Sequence, residues 1–95
     1  MPLQSTQSFE SFTATSLAAG FDECLVREWA ADQIVGLHSH PFDVSAWVAR
    51  GDFVLTVGDE KRQFKTGDFF QLKRDVMHSE AYGVLGATVW VARAN

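Results

Sequence analysis

HSHPFDVSAWVARG, residues 38–51, carries two histidines one residue apart in a run that otherwise alternates polar and apolar side chains. Strand side chains repeat with period two, so this spacing sets the imidazoles of His38 and His40 on one face of a β-strand. Pro41 has no amide to donate and marks a strand break or edge just after His40. If the alternation continues beyond it, Val44, Ala46 and Val48 share the histidine face and Asp43 points away. His78 is the chain's one remaining histidine and lies in a second β-like stretch. All three rings can meet at one point if the two strands lie close together in a closed sheet.

The flanking segments read the same way. Residues 21–29, FDECLVREW, put Cys24, Val26 and Glu28 on one side and Glu23, Leu25, Arg27 and Trp29 on the other, as in a strand. Residues 30–36 read as the loop leading to a histidine strand at 37–40. Beyond it, strands are expected at 44–49, 53–57, 61–65, 69–72, 76–81 and 87–92. The turns between them fall at Gly51-Asp52, Gly58-Asp59-Glu60, Thr66-Gly67-Asp68, Lys73-Arg74-Asp75 and residues 83–86. Residues 1–16, rich in Ser, Thr and Gln, are expected to form a tail that lays at most one short edge strand, at 9–14, on the sheet or on a partner subunit. No segment sustains three-to-four spacing of apolar residues, so no helix is expected. Short strands at this density predict an all-β antiparallel sandwich or small barrel, with Trp29, Trp47, Trp90 and eight Phe as core or dimer-interface packing.

Composition narrows the function. The chain's 95 residues are expected to form a single domain, 1–95, with its core at about 20–94 and a homodimer as a natural supplement to a modest core. Twelve acids against eight bases give a net charge of −4, and the only basic clusters are Lys61-Arg62 and Lys73-Arg74. No electrostatic footprint for nucleic acid is present. The single cysteine, Cys24, cannot build an internal disulfide framework and reads as a small buried apolar residue. Neither a membrane-spanning apolar run nor a secretory signal is visible, so a cytoplasmic location is expected.

Two motifs then resemble a known family. HSHPFDVSAWVARG, residues 38–51, resembles the first cupin motif, and GDFFQLKRDVMH, residues 67–78, resembles the second, with a short hairpin between them. The resemblance implies a six- to eight-stranded antiparallel jelly-roll (cupin) barrel, often a homodimer, with His38, His40 and His78 around one metal ion. The chain departs from the pattern where a glutamate ligand usually stands four residues after the second histidine, because that position is Val44. The usual glycine six residues before the first histidine is Asp32, the proline and glycine of the second motif are Lys73 and Asp75, and its terminal asparagine is Tyr82. Asp43 needs a bulge to turn inward in place of the missing carboxylate. Glu80, two residues past His78, faces the same way by alternation and is the better substitute.

Three neutral imidazoles can hold a divalent first-row ion, Fe, Zn, Ni or Mn, by one face and leave the opposite positions for water or substrate. Their neutrality leaves the ion's charge uncompensated and favours a small anionic substrate. Glu80 then reads as general base or orienting group, and Tyr82 as a hydrogen-bond donor to substrate. Two functions follow: a metal-dependent enzyme of small-molecule metabolism, dioxygenase-like or a Lewis-acid isomerase or hydrolase, or a non-catalytic cupin that binds a small ligand as a sensor or storage module.

Overall fold

A computed structural model describes residues 7–95. Helix α1 (Phe9–Ala18) precedes six strands: β1 (Glu23–Trp29), β2 (Ile34–His38), β3 (Asp43–Val57), β4 (Glu60–Lys65), β5 (Phe69–Leu72) and β6 (His78–Ala94). Every strand pair is antiparallel. The long strands β3 and β6 run side by side through the whole molecule, and each takes part in two halves of the sheet. In one half the order is β1-β6-β3-β5, in the other β2-β6-β3-β4. Among the described residues, backbone hydrogen bonds do not close the sheet into a complete barrel.

Two turns expected from the sequence are bends inside these long strands. Gly51, at φ +87, breaks the register of β3 against β6 without ending either strand. A Cβ at Gly51 would collide with the carbonyl oxygen of Gly86, itself at φ +67, so the strands approach too closely here for any side chain. The loop expected at 83–86 is likewise absorbed into β6. Bulged corners carry both strands from one half of the sheet to the other.

The alternation read from residues 43–48 is present: Val44, Ala46 and Val48 are buried in the core, which continues through Phe53, Leu55, Phe64, Tyr82, Ala87 and Val89. Phe53 is its aromatic hub, with the rings of Phe64, Phe70 and Tyr82 centred 5.0–5.6 Å away. Cys24 is only half-buried, rather than buried as expected, because it stands opposite Ala92 on the outward side of the β1–β6 ladder.

The edge strand expected at 9–14 is instead helix α1; residues 1–6 of the expected tail lie outside the described residues. Ser8 caps the helix, its hydroxyl accepting from the Ser11 amide at 3.0 Å. Phe9 and Phe12, three residues apart, both reach Trp90 on the outer side of the sheet, with centroids 5.7 and 6.0 Å away. One turn of apolar spacing is too short to register as a periodic pattern, yet an aromatic contact suffices to hold ten residues in a helix that propensity alone would not support. No helix among the described residues is long and apolar enough to cross a membrane.

Candidate metal centre

Asp32 and Asp75 frame the histidine segment, at φ 59 and 65. They keep the left-handed backbone for which glycine is usual, a conformation that Asp tolerates better than most residues. The Asp75 amide donates to the His40 carbonyl at 2.7 Å and the Asp32 amide to the Gly83 carbonyl at 2.9 Å. These bonds tie the chain around the end of β2 to β6 and to the turn that precedes it.

His38 ends β2 and lies opposite His78 at the start of β6. His40 follows beyond the strand end, its ring stacked on Phe42 at 4.9 Å. The three ring centroids are 4.3–5.0 Å apart, and one ligand nitrogen from each lies within 4.8 Å of the others. His38 Nδ1 is 2.7 Å from the Gly36 carbonyl and His78 Nδ1 is 2.9 Å from the Val76 carbonyl. A carbonyl only accepts, so each Nδ1 carries the proton and each Nε2 of the neutral ring keeps its lone pair for the cluster. Burial holds His40 below its ordinary pKa, the charges of His78, His38 and Arg27 push the same way, and Glu80 opposes them. His40 therefore remains a neutral donor to lower pH than a free imidazole, which favours metal over proton.

Glu80 joins this cluster. Its Oε2 is 3.4 Å from His78 Nε2 and 3.7 Å from His38 Nε2, and its Oε1 accepts from the Tyr82 hydroxyl at 2.7 Å. Two ligands of a tetrahedral first-row ion, each at about 2.0–2.1 Å, stand roughly 3.4 Å apart, so Oε2 keeps ligand-to-ligand distance from both nitrogens. The phenol that sequence reasoning offers to substrate instead gives its one hydrogen to Glu80. Burial first, then the Glu80 carboxylate, pushes the Tyr82 phenol well above its ordinary pKa, so the proton stays on the phenol. The ring is fixed by stacking between Trp29 and Phe53, each 5.0 Å away.

The other carboxylate faces away. Asp43 Oδ1 accepts from the Arg74 amide at 2.8 Å and pairs with its guanidinium at 3.4 Å. Those contacts, the amide bond first, hold the Asp43 carboxyl below its ordinary pKa. Val44 contributes only an apolar wall to the cavity of about 420 Å³ that opens over the histidines. Arg27 and Arg93 also line that cavity, and sequence reasoning missed them. Alternation had placed Arg27 with Leu25 and Trp29, and the missing information was which side of β1 faces inward.

The two-layered antiparallel β architecture, with histidines from β2, from the segment after it and from β6 gathered over an internal cavity, is the cupin fold. Solved cupin structures superpose on it. The cupin domain of Schizosaccharomyces pombe Cnp3 matches with a TM-score of 0.69 at 18% identity, over 76% of this chain and 54% of that one. KdgF from Halomonas sp. gives 0.64 at 19% identity, over 76% and 67%. A cupin superfamily protein from Desulfitobacterium hafniense gives 0.64 at 14% identity, over 79% and 81%. The chain thus spans about half the length of the Cnp3 structure and two thirds of KdgF. No family model and no curated protein matches the sequence. Fold and cluster together suggest a bound metal ion.

Proposed function

We propose that this chain is a metal-dependent cupin enzyme acting on a small anionic molecule, with His38, His40 and His78 as metal ligands and Glu80 as the carboxylate of the site. The observation that carries this reading is the convergence of three imidazole nitrogens and one carboxylate oxygen on the floor of an apolar cavity. A divalent ion held there, Fe, Zn, Ni or Mn, would supply Lewis-acid polarisation of an oxygen atom of the ligand. The apolar walls lower the local dielectric and strengthen the electrostatic contacts made against them.

Glu80 takes the role that Val44 leaves open. Its Oε2 compensates part of the positive charge at the cluster, and it is the sole carboxylate lining the cavity among the described residues. As a donor to the ion Glu80 would complete a set of three histidines and one carboxylate, which serves isomerase-, hydrolase- and dioxygenase-type chemistry alike. Tyr82 is a positioning residue: it holds Oε1 and thereby aims Oε2.

Protein purified without a histidine tag is expected to carry close to one equivalent of a divalent metal per chain by elemental analysis. His40→Ala is expected to leave at most a small fraction of it, because the four-donor set is reduced to His38, His78 and the Glu80 carboxylate. Trace metal alone, with no uptake after adding iron, zinc, nickel or manganese, overturns the reading and leaves a ligand-binding cupin without metal. The identity of the element then separates the chemistries, with iron pointing back to a dioxygenase.

A further inference from the structure

Two guanidinium groups line the cavity, and their environments differ. Arg93, on β6, is paired across the ladder with Glu23, Nη2 to Oε2 at 3.1 Å, and its guanidinium lies 4.7 Å from the Phe42 ring centre. Arg27, on β1, makes no ion pair among the described residues. It is exposed at the cavity wall, with its guanidinium 5.0 Å from the centre of the Trp29 ring. Trp29 stacks on Tyr82 at 5.0 Å with 14° between the planes, and Tyr82 bonds to Glu80. A continuous wall of contacts thus runs from the unpaired cation to the carboxylate beside the histidines.

We propose that Arg27 is the substrate-recognition residue of the cavity and that its ligand is a small monocarboxylic acid. The carboxylate docks on the guanidinium against Trp29, an apolar tail lies along Leu25 and Val91, and a second oxygen points to the histidines. This last element rests on the metal reading above; the carboxylate contact does not. A carboxylate is favoured over a phosphate for two reasons. A planar guanidinium, stacked on an indole, offers parallel N–H donors that match a carboxylate fork. In the metal-free form Arg27 is a single exposed cation that pairs with one negative charge, and a phosphate dianion would leave its second charge unmatched against the apolar wall. The cavity of about 420 Å³ suits a small molecule and not a polymer.

The test uses α-ketoisovalerate, its uncharged amide and inorganic phosphate, titrated into the full chain in zinc-loaded and metal-free form and followed by backbone amide NMR shifts. α-Ketoisovalerate is expected to bind at least about tenfold more tightly than its amide. Arg27→Gln is expected to bring the acid down to the level of the amide and leave the amide unchanged. Arg27→Lys, which keeps the charge and loses the fork, falls between. Arg62→Gln, outside the cavity lining, leaves all affinities as they were, and zinc content is the same in every variant. The proposal is overturned if Arg27→Gln binds the acid as tightly as the parent, if acid and amide bind alike, or if phosphate competes equally. A parent protein that takes up none of iron, zinc, nickel and manganese but retains the Arg27-dependent preference for the acid sinks the metal reading alone.

Discussion

At the level of single residues, the proposed site turns on a carboxylate supplied by β6. Val44 occupies the position where the first motif usually supplies a glutamate, and Glu80 reaches the same cluster from β6. The position of Glu80 beside the histidines was legible, because period-two alternation places it on the face of His78. The Tyr82 contact was not, since alternation says which way a phenol points and nothing about which of several polar atoms its hydrogen finds. Tyr82→Phe keeps the stack between Trp29 and Phe53 and removes only the bond to Glu80. It is therefore expected to lower metal affinity by about tenfold, with little change in thermal midpoint, because partners that orient ligands contribute on the order of 10- to 100-fold. Competition with a chromophoric chelator measures this, and Glu80→Gln should lose at least as much. Equal retention of metal in both variants would mean that Glu80 is no part of the donor set. Asp75 offers a separate test of backbone conformation. At φ 65 it occupies a region that costs an L-residue roughly 1 kcal/mol, so Asp75→Gly is expected to raise the thermal midpoint by a few degrees, less whatever the glycine adds to the entropy of the unfolded chain.

The elements show where reading by periodicity fails. Gly51 and Gly86 are glycines at which the chain normally reverses, yet here it only bends, because the neighbouring strand is already paired on both sides of the bulge. A turn and a bulge call for the same residue, and only long-range pairing distinguishes them. Sequence reasoning therefore divided β3 and β6 into pieces while placing most of their inward-facing residues correctly. Helix α1 escaped for the opposite reason: its stabilising partner, Trp90, is far away in sequence. Gly51→Ala tests the bend. The new methyl group meets the Gly86 carbonyl and the backbone must leave a positive φ, so a loss of at least about 2 kcal/mol is expected. Denaturant unfolding should show a lower midpoint at an unchanged slope. A variant as stable as the parent would mean that the two strands separate at this corner without penalty.

On the scale of the whole molecule, the sheet has an open side, and what covers it follows from its edge. Among the described residues β2 pairs with β6 along one edge only, and Ile34 and Leu37, on the side of β2 away from the cavity, are 72% and 69% exposed. Val84 and Leu85, in the bent part of β6, are 76% and 68% exposed. An unpaired strand edge carrying large apolar side chains is a template for association, and proteins that leave one exposed normally protect it with charge or proline, neither of which stands within β2. A chain of 95 residues also gains proportionally more than a larger one from burying further apolar surface. Two copies joined through β2 are therefore expected, and sedimentation velocity should give twice the chain mass of 10.6 kDa. Ile34→Lys combined with Leu37→Lys should return the protein to a monomer, since a dimer that brings two copies of this edge together would bury four like charges. Because these side chains point away from the histidines, the charged variant should still take up metal. Loss of both together would make the second subunit part of the site, while a parent protein that sediments as a monomer at every concentration would rule out the assembly.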